Sequence, residues 1–163
     1  MITFPDWYAG GFPDREEVVM DLIQRYLDLL TPTGLAVTWI PDDIEALIAE
    51  GRAVVRVYRG GLGAEGIFDA ANVQLGVITG KRADSWAVME YLRQMMLSYC
   101  HGGPVRRADG SITQISYVEE VIGPQQLADF DFDNRLVPAT FRVECRLPTT
   151  IPDYTRIRES LPL

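Results

Sequence analysis

The sequence predicts an α/β protein of the α+β kind, in which a mixed or mainly antiparallel β-sheet is packed by an amino-terminal helix and a long central helix. Three observations carry this. Apolar residues recur at three- and four-residue steps in two separate stretches, a late segment alternates strictly between apolar and polar residues, and a glycine-rich connection separates two β-prone runs. With 163 residues, 47% hydrophobic and 23% charged, the chain has the balance of one ordinary globular domain. We expect a single domain over 1–163, with an amino-terminal arm at 1–12 and an extended carboxy-terminal tail at 148–163.

Residues 1–12 mix aromatics with Pro5 and the pair Gly10 and Gly11 and show no period, which reads as an arm. Asp14 with Glu17 fits a capping box, and Val19, Leu22, Ile23, Tyr26 and Leu30 form the stripe of the first helix, which stops before Pro32 and Gly34. Residues 35–40 read as a short strand. Asp42 and Glu45 can cap a short helix carrying Ile44, Leu47 and Ile48 up to Gly51. Residues 53–58 and 73–78 are β-prone and could pair antiparallel across the glycine-rich stretch Gly60, Gly61, Gly63 and Gly66.

The long helix follows, with Asp84 as cap and Val88, Leu92, Met95 and Tyr99 as its stripe, widened by Trp86, Met89 and Met96. Its expected partners are the strands around Val55, Ile78 and Phe141. Gly102, Gly103 and Pro104 end it, and residues 112–122 and 137–147 read as strands. In the last of these, Val137, Ala139, Phe141, Val143, Cys145 and Leu147 alternate with Pro138, Thr140, Arg142, Glu144 and Arg146. Pro138 favours a strand end or edge, since proline cannot donate to a ladder. The prolines at 152 and 162 make the remainder an extended tail rather than a core element.

Composition narrows the function. A net charge of −8 disfavours a generic nucleic-acid coat, which needs clustered positive charge. The start shows neither the basic residues nor the apolar run of a signal peptide, and no window approaches the roughly 20 apolar residues of a membrane span. Cys100 and Cys145 form no metal or disulfide spacing, and their apolar neighbours suit reduced thiols made in a cytosol.

Local motifs fall short of chemistry. The run from Gly60 to Gly66 lacks a phosphate-loop arrangement, and after Gly80 and Lys81 it is Arg82 that stands where a magnesium-holding Ser or Thr belongs. Asp129, Asp131 and Asp133 resemble half a calcium loop, but Asn134 replaces the turn glycine and Thr140 the bidentate carboxylate. His101 has no second ligand nearby, and Ser98 and Ser111 sit in no nucleophile motif. The expectation is therefore no enzyme, no cofactor and no metal.

The order of elements, the segment Gly80-Lys81-Arg82-Ala83-Asp84-Ser85-Trp86-Ala87 opening a long helix, and the closing strand Arg135-Leu136-Val137-Pro138-Ala139-Thr140-Phe141-Arg142-Val143 together resemble a tail terminator, or tail-completion protein, of long-tailed bacteriophages. That resemblance implies a structural virion protein that forms a homo-oligomeric ring, a hexamer, on the head-proximal end of the tail tube. It would end tube polymerisation and join the tail to a head–tail connector or stopper protein. DNA would pass through the lumen unread, no membrane is involved, and the location is the tail-neck region after assembly in the host cytoplasm. Candidate assembly residues are Gly60, Gly61, Leu62, Gly63, Glu65, Phe68 and Asp69 in the glycine-rich loop, and Arg142, Glu144 and Arg146 on the polar side of the last strand. The alternative is a small hydrolase or ligand-binding domain with a nonlocal site, which a deep pocket joining His101 to convergent acids would favour.

Overall fold

A computed structural model describes residues 2–8, 10–126, 135–147 and 151–161. The elements are α1 (Arg15–Leu27), β1 (Leu35–Val37), α2 (Ile44–Ala49), β2 (Val54–Arg59), β3 (Ala64–Glu65), β4 (Phe68–Ile78), α3 (Arg82–Ser98), β5 (Gly103–Arg106), β6 (Ile112–Ile122), β7 (Val137–Arg146) and α4 (Tyr154–Ser160). The strands form one sheet in the order β1-β2-β4-β7-β6-β5, with the short β3 also paired to β4. Only β1 and β2 run parallel; the other pairs are antiparallel, including the β2–β4 pair expected across the glycine-rich connection.

Register explains the core. The partners Val57 and Leu75, Val73 and Phe141, and Ala71 and Val143 stand on one face, and α1 and α3 lie on it. Val19, Leu22, Ile23 and Leu27 from α1 and Met89, Leu92, Met95 and Met96 from α3 are buried there in a single apolar cluster. The sheet curls around both helices, helped by ladder irregularities between Ile115 and Tyr117 and between Glu120 and Ile122, so that α1 touches β1 and β2 near one edge and β5 at the other. The helices are tied together where Tyr91 Oη donates to the Tyr26 carbonyl at 3.1 Å.

Several details differ from the sequence reading. Asp14 does cap α1, but through the amide of Glu16, while Glu17 pairs with Arg107 at 3.2 Å instead of closing a capping box. Asp43, not Asp42, stands at the start of α2, with no side-chain cap bond. Asp84 lies inside the first turn of α3; the start is organised by Ser85 Oγ, which accepts from the Thr79 amide at 3.1 Å and lies 2.9 Å from Thr79 Oγ1. Ile78 pairs with Val54 on the outer face, and Val77 takes the core position expected of it.

The strand expected at 35–40 stops at Val37, and β5 was hidden because Gly103 and Pro104 read only as a helix stop. Gly102 has φ +75° and a Cβ there would meet the Ile115 carbonyl at 2.6 Å, so glycine lets the chain turn from α3 directly against β6. The tail predicted as extended carries α4, capped by Asp153 Oδ1, which accepts from the amides of Thr155 and Arg156; none of its residues is buried. Pro138 sits in a central strand, near its end: β6 pairing stops at Thr140, and beyond it the Pro138 carbonyl accepts from the Gln125 amide, so the missing N–H breaks no strand ladder.

The outer strands are blunted by side chains. On β1, Gln24 Oε1 accepts from the Ala36 amide at 2.8 Å while its Nε2 donates to the Gly34 carbonyl at 3.2 Å. Glu16 Oε2 accepts from the Arg59 amide where β2 runs on past β1. At the other edge, Pro104 has no N–H and its carbonyl accepts from Tyr99 Oη at 3.2 Å.

Two measurements check this packing. Leu92 is fully buried, so Leu92→Ala should lower stability by about 2–5 kcal/mol in reversible denaturant unfolding. Burial pushes the Cys145 thiol up to about 11, and Cys145 is enclosed whereas Cys100 is partly exposed. A thiol-reactive dye at pH 8 should label Cys100 in the native chain, and Cys145 only after denaturant is added.

Candidate assembly surface

The topology brings three connections to one end of the sheet, while those from β4 to α3 and from β6 to β7 lie at the other. Because β1 is parallel to β2, and β4 is antiparallel to both β2 and β7, strands β1, β2 and β7 all leave the sheet at the end where β4 enters. The turn carrying Trp39, the 60–67 hairpin and the segment after β7 follow those exits. The start of α1 joins them, since its cap Asp14 lies 3.7 Å from Arg59 in an exposed ion pair.

The glycine-rich loop is built onto β4. Gly60 donates to the Asn72 carbonyl at 2.6 Å and Ala70 to that of Gly63 at 3.2 Å, and β3 pairs with the first residues of β4. Gly66, at φ +61°, is the first residue of the two-residue turn between Glu65 and Phe68, a position that favours glycine. The Leu147 amide bonds the Ile67 carbonyl, fastening the tip to the end of β7. Leu62 and Ile67 are exposed, and Gly61 and Gly63 face open space.

Arg142 and Glu144 stand on the sheet face opposite α1 and α3, and β3 brings Glu65 within reach. Arg142 Nη2 reaches Glu65 at 3.2 Å and Glu144 at 2.8 Å, and Arg142 is paired in register with Glu119. Arg146 pairs with Phe68. The Arg56 guanidinium lies 5.3 Å from the centre of the Tyr58 ring, and Tyr58, Tyr117 and Ile122 are exposed. Arg142 and Glu144 are half-buried and Glu65 is exposed.

Asp69 does not belong with these residues. It lies on the core face in phase with Ala71, Val73, Leu75 and Val77, and its carboxylate accepts from Nη2 of Arg15, itself buried. The pair is enclosed, and Arg15 Nε and Nη1 have no hydrogen-bond partner among the described residues. Sequence reasoning passed over Arg15, because an arginine opening a helix usually faces water. The step of two from Asp69 to Val77 was the available signal for its partner.

The remaining candidates stay apart. Asp129, Asp131 and Asp133 lie outside the described residues. Among the described residues no group of three or more His, Cys, Asp and Glu could hold a metal ion. His101 is exposed at the end of α3 and lines none of the cavities of about 250, 290 and 510 Å³ on the surface. Thr79 and Ser85, flanking Lys81, are engaged with each other.

Residues 11–152 match the family model for phage tail termination protein. No curated protein matches the chain. The matched span holds every strand, α1, α2 and α3, and all the candidate residues named for assembly.

The buried pair gives a test that separates scaffold from surface. Asp69→Ala should cost about 3–5 kcal/mol by stranding a buried guanidinium, whereas Arg15→Met with Asp69→Leu should recover most of that loss. Arg142→Ala, measured in the same urea titrations, should cost far less, about 1 kcal/mol or under, because its ion pairs lie nearer to water.

Proposed function

The chain belongs to the phage tail termination protein family, and we propose that it acts as a homomeric ring of six copies seated on the head-proximal end of the tail tube. Its role is structural: it terminates the tail. The family match over 11–152 carries this reading, and the placement of the connections supports it. The two ends of the sheet carry different connections and so differ chemically, and a heterologous contact between copies can close into a ring that keeps them different. One end of the ring meets the tube protein and the other the head–tail connector or stopper.

The assembly surface is the hairpin with Gly60, Gly61, Leu62, Gly63, Glu65 and Phe68, together with Arg142, Glu144 and Arg146 on the outer face. The chain works as one unit over 1–163, in the tail-neck region of the virion, after assembly in the host cytoplasm. DNA passes through the lumen unread, in keeping with a chain of net charge −8. No observation favours a hydrolase or ligand-binding reading: among the described residues, His101 is exposed and lines none of the three cavities given above.

Deleting the gene from a producing phage, with electron microscopy of the tails and complementation by the intact gene, tests the proposal. The expected result is tails of abnormal length or tails that cannot join heads, restored by the intact gene. Normal joined virions from a verified deletion would overturn it.

A further inference from the structure

The arm and the residues leading into α4 enclose an apolar cavity of about 250 Å³, walled by Tyr8, Phe12, Ile151, Pro152 and Tyr154. Its walls are braced: Trp7 meets Tyr154 edge-on at 5.5 Å, and Phe4 packs against Tyr8 at 4.8 Å. Phe12, Ile151 and Tyr154 nevertheless remain 46%, 50% and 47% exposed. On the far flank of the sheet, in the turn after β1, Trp39 is 79% exposed. The chain thus displays a large apolar knob and an apolar hollow, each unfilled, and a buried tryptophan side chain covers about 150–250 Å².

Charge distinguishes the two patches. Asp42 and Asp43 follow Trp39, are exposed, and make no side-chain ion pair among the described residues. Arg156 and Arg158 on α4, beside Tyr154, are exposed and likewise make no ion pair among the described residues. Of the two acids beside them, Asp153 is occupied as the α4 cap, and Glu159 follows Arg158 on the same helix.

We propose that Trp39 of one copy seats in the cavity between the arm and α4 of the next, with Asp42 and Asp43 facing Arg156 and Arg158 across the contact. This rests on the ring reading and names the contact that would close it. The geometry suits closure. Trp39 follows the exit of the edge strand β1, and Phe12 of the cavity leads into α1, whose Arg15 meets Asp69 where β4 enters, so both patches belong to the same end of the sheet. Knob and hollow are different patches of one chain, so the contact is heterologous, the kind that closes into a ring when the rotation between copies allows it.

The test uses the full purified chain, with native mass spectrometry and light scattering over a concentration series and thermal melting as the folding control. The intact chain should form rings, and Trp39→Ala should weaken their association by about 30-fold or more, as for a central aromatic anchor, with an unchanged melt. Replacing Asp42 and Asp43 by Arg should weaken the ring, as should replacing Arg156 and Arg158 by Asp; combining the two sets should restore it. An intact chain that stays monomeric throughout would overturn the ring reading itself. Rings indifferent to Trp39→Ala, or charge reversals that fail to compensate, would overturn this contact alone. Rings that persist while Trp39→Ala abolishes binding to purified tail tubes would assign the patch to the tube protein and also overturn it.

Discussion

A guanidinium taken out of water must be answered by a carboxylate, and the Arg15–Asp69 pair is where that requirement shapes this subunit. Arg15 opens α1 and Asp69 is the second residue of β4, so the pair fixes the start of the helix against the head of a central strand. Asp69 also stands opposite Cys145 near the end of β7. The arm, the hairpin and the final segment therefore leave from one joint. An apolar pair could fill the same space, but would not demand this mutual orientation as strictly.

Around that joint the two faces of the sheet divide the work. The face under α1 and α3 is apolar and enclosed, and its stability comes from area removed from water. On the other face Arg142 is linked to the exposed Glu65 and to the half-buried Glu144, both nearer to water than the enclosed Arg15–Asp69 pair.

Much of the fold was legible because it is written in period. The alternation from Val137 to Cys145, the stripe of α1 and the face of α3 each follow from spacing; the alternating residues are buried, and the two stripes are buried along their centres, with Tyr26, Leu30, Trp86, Val88 and Tyr99 partly buried against the core. What spacing could not reveal depends on contacts distant in sequence. Gly103 and Pro104 become a strand only because β6 returns to pair with them. Glycine at 60, 61 and 63 correctly marked an exposed hairpin, but the same loop reading swept in Asp69, whose alternate position already belonged to β4. Arg15 was invisible, because its burial depends on a partner 54 residues away.

The side chains that blunt the outer strands bear on how a polymer is stopped. A protein that ends a growing tube is itself a β-rich unit at high local concentration, and a bare strand would invite a further copy to add, then another. Gln24, Glu16, Tyr99 and Pro104 occupy backbone groups that such growth would use. With those groups taken, edge-to-edge addition of further copies has fewer backbone groups to use. A cap is useful only if it cannot be extended, and part of that limit is already built into the single subunit.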